Sequence, residues 1–88
     1  MGKFAILILK AAKREIADLP GKVRVRVGAA IDGLAEDPRP NGVEPIQGLA
    51  GYYRVRVGDY RVLYSVADAV LVVTVTRVRH RREVYRGL

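Results

Sequence analysis

The sequence lacks cysteine and contains a single histidine, His80. Without cysteine the chain can form no disulfide, no thiolate nucleophile and no cysteine-based metal site. One histidine with few acidic neighbours leaves a zinc or other transition-metal centre almost without ligands. The chain also lacks a Walker phosphate loop, a Rossmann glycine fingerprint, paired carboxylates and a serine–histidine–aspartate pattern. We therefore expect neither a metal nor another cofactor.

Long apolar runs of the membrane or secretory kind are also missing. The N-terminal run Phe4 to Leu9 is too short for a signal peptide or a membrane span. Half of the 88 residues are hydrophobic, which argues against disorder. The sequence therefore predicts one domain, residues 1–88, in a soluble cytoplasmic protein that does not bind membranes.

Acidic residues are scarce in the second half of the chain. Residues 1–50 carry eight basic and six acidic residues, whereas residues 51–88 carry eight basic and three acidic ones. All eight basic residues of the second half are arginines. Such a one-sided excess indicates a surface for nucleic acid or another acidic partner, although a purely solubilising surface has the same composition.

The hydrophobic pattern predicts an α+β fold with the order βααβββ, an antiparallel sheet with a two-helix hairpin packed on one face. The predicted strands cover residues 4–9, 52–57, 60–66 and 70–78, and the predicted helices cover 10–19 and 22–36. Three prolines and three glycines make 37–51 a predicted surface loop. The Val-Leu-Val-Val-Thr-Val-Thr run of the last strand is typical of a strand buried on both sides.

Arginines alternate with apolar residues around a predicted two-residue turn, Gly58-Asp59. Val55 points to one side of its strand, and Arg54 and Arg56 point to the other. Arg61 follows just after the turn on the next strand. Because each guanidinium offers a planar, permanently charged fork, three of them facing one direction suit the phosphate oxygens of a polyanion.

The C-terminal segment, Arg77 to Arg86, is the second basic stretch. If the last strand continues through it, Arg77, Arg79 and Arg81 share one face. Spacing alone favours a solvated basic tail, and lone histidines such as His80 are common on surfaces. Arginines interleaved with a tyrosine also suit RNA, since the ring can stack on an unpaired base. The candidate RNA-binding residues are therefore Arg54, Arg56, Arg61, Arg77, Arg79, His80 and Arg82.

Two motifs together resemble the RelE/ParE superfamily of bacterial and archaeal toxins. The first is P-I-Q-G-L-A-G-Y-Y-R-V-R-V-G-D-Y-R-V-L-Y, from Pro45 to Tyr64. The second is H-R-R-E-V-Y-R, from His80 to Arg86. The predicted βααβββ order and the length agree, so the resemblance covers nearly the whole chain and favours the RelE-like branch.

The resemblance implies a ribosome-dependent endoribonuclease, the toxin of a type II toxin–antitoxin pair. RelE-like toxins cut messenger RNA at the decoding site without a metal, because the RNA's own 2′-hydroxyl attacks the adjacent phosphate. By motif position the implied catalytic residues are Arg54, Arg56, Arg61, Arg81 and Tyr85. The implied partners are an acidic cognate antitoxin, the ribosome and messenger RNA.

One departure from the family pattern concerns Arg54 and Arg56, where well-known RelE proteins carry lysines. Arginine is a poor general acid or base, so this pair should clamp phosphate, and proton transfer falls to Tyr85 or His80. A shortened terminal segment leaves open whether Arg79 or Arg81 is the catalytic arginine. Two alternatives share the fold: a ParE-like protein that inhibits DNA gyrase by binding, and an RNA-binding module without a catalytic step.

Overall fold

In a computed structural model the chain forms two helices and one five-stranded sheet, and the structure describes residues 2–83. The predicted α+β class is confirmed. The strands are β1 (Ala5–Ile8), β2 (Glu44–Pro45), β3 (Tyr52–Val57), β4 (Tyr60–Ala67) and β5 (Val72–His80), and the helices are α1 (Lys10–Ala17) and α2 (Gly21–Gly33).

The sheet has the order β1-β5-β4-β3-β2 and is mixed rather than wholly antiparallel. β1 runs parallel to β5, with Ala5 opposite Val72, while the other neighbours are antiparallel. The prediction of antiparallel pairing is thus wrong for this one pair, because a strand pattern does not specify the direction of its partner. The predicted loop 37–51 contains β2, which is too short to leave a periodic signal.

Both helices pack on one face of the sheet, as predicted. The helical hairpin buries four apolar side chains against the valines of β4 and β5. They are Ala12 of α1, Leu19 just after α1, and Val27 and Ile31 of α2. The opposite sheet face carries no helix from the described residues and is called the open face below. β5 is therefore buried on the helix side only: Val73 and Val75 are fully buried, whereas Thr74 and Thr76, between and after them, stay half-buried. The prediction of burial on both sides is wrong.

The turn between β4 and β5 is longer than predicted. Asp68–Val70 form a single 3₁₀ turn, and Leu71 adopts a left-handed backbone conformation with φ of 55°. Val70 and Leu71, which the apolar run assigned to the last strand, consequently lie outside it and are exposed. No helix of the described residues is long and apolar enough to cross a membrane.

A buried tyrosine anchors the long connection between α2 and β3. The hydroxyl of Tyr64, whose side chain is fully buried, donates a hydrogen bond of 2.7 Å to the carbonyl oxygen of Pro38. Next to it, Arg39 donates to both carboxylate oxygens of Asp68, at 3.2 and 2.7 Å, and to the hydroxyl of Tyr53 at 3.1 Å. These contacts fix Pro38 and Arg39, at the start of the connection that leads to β2 on the edge of the sheet.

We predict that Tyr64→Phe lowers the free energy of unfolding by about 1–3 kcal/mol, because the buried Pro38 carbonyl loses its partner while the ring volume is kept. Urea titration followed by circular dichroism measures this change. Tyr52→Phe, at a half-exposed position of the open face, is the matched control and should be nearly neutral. Equal stability of the two variants would contradict the anchoring role of Tyr64.

Candidate RNA-binding site on the open sheet face

Three arginines stand side by side on the open face. Arg56 of β3 lies directly opposite Arg61 of β4, and Arg54 lies two residues away on the same side, opposite Leu63. The register confirms that the three side chains share a face. Leu63 is fully buried although no helix within residues 2–83 covers this face, and its register neighbours are Arg54 and Arg77. Their aliphatic stems can cover Leu63 while the guanidiniums reach outward.

The β3–β4 turn forms one wall of a cleft of about 150 Å³. Gly58 adopts φ of 59°, the left-handed conformation that a two-residue hairpin loop requires. The cleft is open to solvent and is lined by Arg56, Gly58, Asp59, Tyr60, Arg61 and Arg81. Three guanidiniums and the backbone of a tight turn thus surround a space suited to a small anionic group.

Arg81 reaches this cleft from the turn that follows β5. Its backbone N–H donates to the carbonyl of Asp59 at 2.7 Å, and its Nε lies 3.8 Å from Oδ1 of Asp59. Nη1 of Arg61 donates to the carbonyl oxygen of Arg81 at 3.2 Å. The Arg81 backbone is therefore fixed beside Arg61, while its side chain stays 60% exposed.

Glu44 is a member of this site that sequence analysis missed. It lies on β2 opposite Arg54, whose Nε donates to Oε1 of Glu44 at 3.1 Å, and Nε of Arg56 lies 3.6 Å from the same oxygen. The hydrogen bond from Arg54 holds the pKa of Glu44 below its ordinary value. The only sequence signal for Glu44 is that it is one of two acidic residues, with Asp37, in the proline- and glycine-rich segment 37–51, and that signal does not indicate pairing with Arg54.

Arg77 and Arg79 lie on the open face of β5 but are engaged by α1. Nε of Arg79 donates to Oε2 of Glu15 at 3.0 Å, and Nε of Arg77 lies 3.4 Å from that oxygen. β1 pairs with β5 only as far as Val75. Beyond that point, Oε1 of Glu15 accepts the backbone N–H of Val78 at 2.8 Å. Arg79 is only 14% exposed and also pairs with Glu83, so Arg81 is more accessible to a ligand than Arg79.

His80 faces the helix side of the sheet, away from Arg61. It lies opposite Tyr60, and the two rings meet edge to face with centroids 5.1 Å apart. Nδ1 of His80 accepts the backbone N–H of Arg82 at 3.2 Å. Arg82 itself is exposed in the turn after β5. Tyr85 lies outside the described residues, so its position relative to the arginines stays a prediction.

Within residues 2–83 no three histidine, cysteine or acidic side chains lie close enough together to hold a metal ion. The cleft on the open face contains three guanidiniums, those of Arg56, Arg61 and Arg81, against one carboxylate, that of Asp59. Guanidiniums bind oxyanions and stabilise negative charge, but they do not exchange protons readily. The arrangement can hold a phosphate and can support charge that develops on it.

Comparison with known proteins agrees with this architecture. Residues 6–85 match the family described as ParE toxin of type II toxin–antitoxin system, parDE. The toxin RelG of Mycobacterium tuberculosis is 31% identical over 84 residues, which cover 94% of this chain and 97% of RelG.

Solved structures give the same result. The archaeal RelE–RelB complex from Pyrococcus horikoshii OT3 superposes with a TM-score of 0.82 at 28% identity, covering 93% of this chain and 99% of that one. The toxin–antitoxin complex RelBE2 from Mycobacterium tuberculosis gives 0.78 at 28% identity, covering 90% and 99%. The chain belongs to the ParE toxin family of type II toxin–antitoxin systems, within the RelE/ParE superfamily.

We predict that Arg54→Gln raises the pKa of Glu44 toward the ordinary glutamate value, because the Arg54 hydrogen bond is the largest cause of its lowering. Arg56→Gln, which removes the longer contact, should raise it less. Carboxyl-carbon NMR titration measures both changes. Since folding lowers this pKa, the pair stabilises the fold above the unfolded-state pKa of Glu44, and that contribution is lost as pH falls through the folded-state pKa. An unchanged Glu44 pKa in Arg54→Gln would contradict the assignment.

Proposed function

We propose that this protein is a ribosome-dependent endoribonuclease that cleaves messenger RNA and thereby inhibits translation. The observation that carries the proposal is the solvent-open cleft lined by Arg56, Arg61 and Arg81, with Arg54 beside it on the same face. The similarity to RelE-type toxins over nearly the whole chain supports the same activity.

The proposed reaction is attack of a message 2′-hydroxyl on its adjacent 3′-phosphate. A new bond forms between the 2′ oxygen and phosphorus, and the bond from phosphorus to the 5′ oxygen of the next nucleotide breaks. The products are a 2′,3′-cyclic phosphate end and a 5′-hydroxyl end, so the attacking oxygen loses one proton and the leaving oxygen gains one. Negative charge accumulates on the phosphorane in between, and Arg56, Arg61 and Arg81 would stabilise it.

Proton transfer needs a group other than these arginines. We assign it to Tyr85, whose hydroxyl can accept or relay the 2′-hydroxyl proton. His80 is the weaker candidate because its ring faces the helix side of the sheet, next to Tyr60. The Glu44 carboxylate is ionised and lies among the arginines, so it is the next group to test after Tyr85.

We further propose that the protein is neutralised by a cognate antitoxin that is acidic and folds on binding. The related toxins from Pyrococcus horikoshii and Mycobacterium tuberculosis were solved in complexes with RelB-type antitoxins. A chain of net charge +7 with an open arginine face offers an acidic segment strong electrostatic attraction. The antitoxin would block activity by covering Arg54, Arg61 and Arg81 or by displacing the segment that bears Tyr85.

The alternative function is inhibition of DNA gyrase by binding, with no cleavage of RNA. This alternative is tested as well because the matching family is described as ParE toxins. The two activities separate in parallel assays. We expect the protein to cut a defined message on programmed ribosomes and to leave gyrase supercoiling unaffected at the same concentration. Gyrase inhibition with intact message would overturn the endoribonuclease proposal.

We predict that Tyr85→Phe slows single-turnover cleavage of the message by about 10²–10⁴-fold, the range typical of general acid–base catalysis. The substitution removes the hydroxyl that would transfer the proton and keeps the ring. Binding to ribosomes should change little, since the ring is kept for stacking. The measurement is cleavage of a defined message on programmed ribosomes with toxin in excess. Cleavage by Tyr85→Phe at the parent rate would remove Tyr85 from proton transfer, and Glu44→Gln would then be tested.

A separate prediction concerns the phosphate clamp. Arg81→Ala should slow cleavage by about 10²–10³-fold if its loss resembles removal of an oxyanion donor. Arg81→Lys should recover part of the rate, because the charge remains while the fork geometry does not. Lys3→Ala, which removes one positive charge at an exposed position before β1, is the control. If Lys3→Ala and Arg81→Ala cleave equally fast, Arg81 has no special role in the cleft.

A further inference from the structure

A second cavity lies at the start of β3, beside the row of arginines on the open face. It has a volume of about 410 Å³, is open to solvent and is called the loop cavity below. Pro45, Ile46, Leu49, Tyr52 and Tyr53 line it, with small residues between them. The loop cavity shares no lining residue with the arginine cleft, and its size is that of a site for a small molecule or a single chemical group.

The loop cavity is built from uncharged residues, in contrast to the arginine face next to it. Residues 45–53 contain no lysine, arginine, histidine, aspartate or glutamate. Charged residues stand immediately on both sides, with Glu44 before this segment and Arg54 after it. An apolar, partly aromatic cavity thus adjoins a row of guanidiniums. This combination suits a ligand in which a flat, uncharged ring is joined to a phosphate, as in a nucleotide.

Tyr52 connects the loop cavity with the open face. Side chains alternate along β3, so Tyr52 lies on the same face as Arg54 and Arg56. Its side chain is half-exposed and, within residues 2–83, forms no hydrogen bond, ion pair or ring contact. The ring of Tyr53, by contrast, lies 5.9 Å from that of Tyr64 and belongs to the packing of the fold. The Tyr52 ring is therefore available to a ligand.

Backbone hydrogen bonds hold the loop that forms the cavity. The N–H of Ile46 donates to the carbonyl of Tyr52 at 2.9 Å, and the N–H of Tyr52 donates to the carbonyl of Leu49 at 3.1 Å. The carbonyl of Gly51 accepts the N–H of Val66, from β4, at 3.0 Å. Gly51 adopts a left-handed φ of 81°, which residues with a side chain rarely adopt. The fold thus forms the cavity in advance, which lowers the entropic cost of binding.

The spacing along β3 relates the loop cavity to the proposed cleavage site. Tyr52 and Arg56 are four residues apart on one strand, which corresponds to about 13 Å. Arg54 stands between them on the same face. A single strand of RNA that lies along β3 with its reacting phosphate at Arg56 would therefore present to Tyr52 the base of a nucleotide that flanks the cleaved bond.

A nucleobase fits this site better than a segment of a protein partner. Within residues 45–53, Leu49 is the one large aliphatic side chain that is exposed, at 38%. A segment that folds on binding must bury apolar surface at several points, and the loop cavity offers one leucine and one free ring face. A base needs only an aromatic surface on which to stack and a cation near its phosphate.

We propose that the loop cavity is a nucleobase-binding subsite, in which the ring of Tyr52 stacks on an unpaired message base that flanks the cleaved bond. The arginines contact phosphates and Tyr52 contacts a base, so the two parts of the open face hold different parts of one strand. Stacking of this kind accepts any base, because every base has a flat π surface. The inference rests on the proposed function, since it takes the open face to hold single-stranded message.

The test measures binding to two short single-stranded RNAs that are 2′-O-methylated throughout and cannot be cleaved. One RNA carries all its bases, and the other is abasic with the same number of phosphates. Affinities are measured by fluorescence anisotropy over a range of salt concentrations, beginning at low salt, where phosphate contacts are strongest. The variants are Tyr52→Ala, Tyr52→Leu and Tyr52→Phe, with Arg56→Gln as the probe of the cleft. Leu7→Ala, which shortens an exposed apolar side chain on β1 of the same face, is the matched control, and circular dichroism checks folding.

We expect Tyr52→Ala to bind the RNA with bases about five- to 150-fold more weakly than the parent, the change that corresponds to one stacked base. The slope of log affinity against log salt should not change, because no phosphate contact is lost. Tyr52→Phe should bind like the parent because it keeps the ring, whereas Tyr52→Leu should bind weakly because it has no π surface. Binding to the abasic RNA should be the same in all three variants and in the parent.

The controls separate base contacts from phosphate contacts. Arg56→Gln should weaken binding to both RNAs and lower the salt slope by about 1. Leu7→Ala should match the parent on both RNAs. The loop cavity is not a base subsite if Tyr52→Ala also matches the parent, if Tyr52→Ala loses affinity for both RNAs equally, or if Tyr52→Ala loses affinity for the antitoxin alone. Parent-like affinity of Tyr52→Leu would likewise exclude stacking.

Failure of the proposed function looks different. A parent protein whose RNA binding depends on Tyr52 in this way, but which leaves a cleavable message on programmed ribosomes intact, refutes the nuclease and supports the base subsite. A parent that cuts the message on ribosomes but binds both RNAs equally well overturns the base subsite and supports the nuclease.

Discussion

The register of the β3–β4 hairpin is the constraint on which the rest of the structure depends. The two-residue turn Gly58-Asp59 pairs Val57 with Tyr60 and thereby sets Arg56 opposite Arg61. A slip of one residue would turn the arginines of one strand into the core and its valines into water, so burial of Val57 and Val62 enforces the correct pairing. The same register aligns β5, whose end delivers Arg81 to the turn.

Gathering cations on one face is unfavourable unless acids offset them, and each acid used here also has a structural task. Glu44 joins β2 to Arg54 and Arg56, while Asp59 shapes the turn and contacts Arg81. Glu15 binds the β5 backbone beyond β1 and pairs with Arg77 and Arg79. Arg77 and Arg79 near the β5 edge are thereby held in the structure, whereas the side chains of Arg56 and Arg81 at the cleft stay 60% exposed despite their acidic neighbours.

Much of this arrangement could be predicted from the sequence, because alternation and turn chemistry are local signals. The helices, the β3–β4 hairpin and the shared face of Arg54, Arg56 and Arg61 follow from them. Other features depend on contacts between distant segments: the parallel partner of β1, the pairing of Glu44 with Arg54, and the neutralisation of Arg79 by Glu15. The orientation of His80 follows from its register with Tyr60, which the basic C-terminal segment alone does not indicate.

The endoribonuclease that we propose holds a message on the open face, where the message is cut by its own 2′-hydroxyl. The most direct measurement uses programmed ribosomes and two messages that differ only by a 2′-deoxy substitution at the cleaved nucleotide. The account predicts that the all-ribose message yields 2′,3′-cyclic phosphate and 5′-hydroxyl ends and that the deoxy message stays intact. Cleavage of the deoxy message, or products with 5′-phosphate ends, would contradict it.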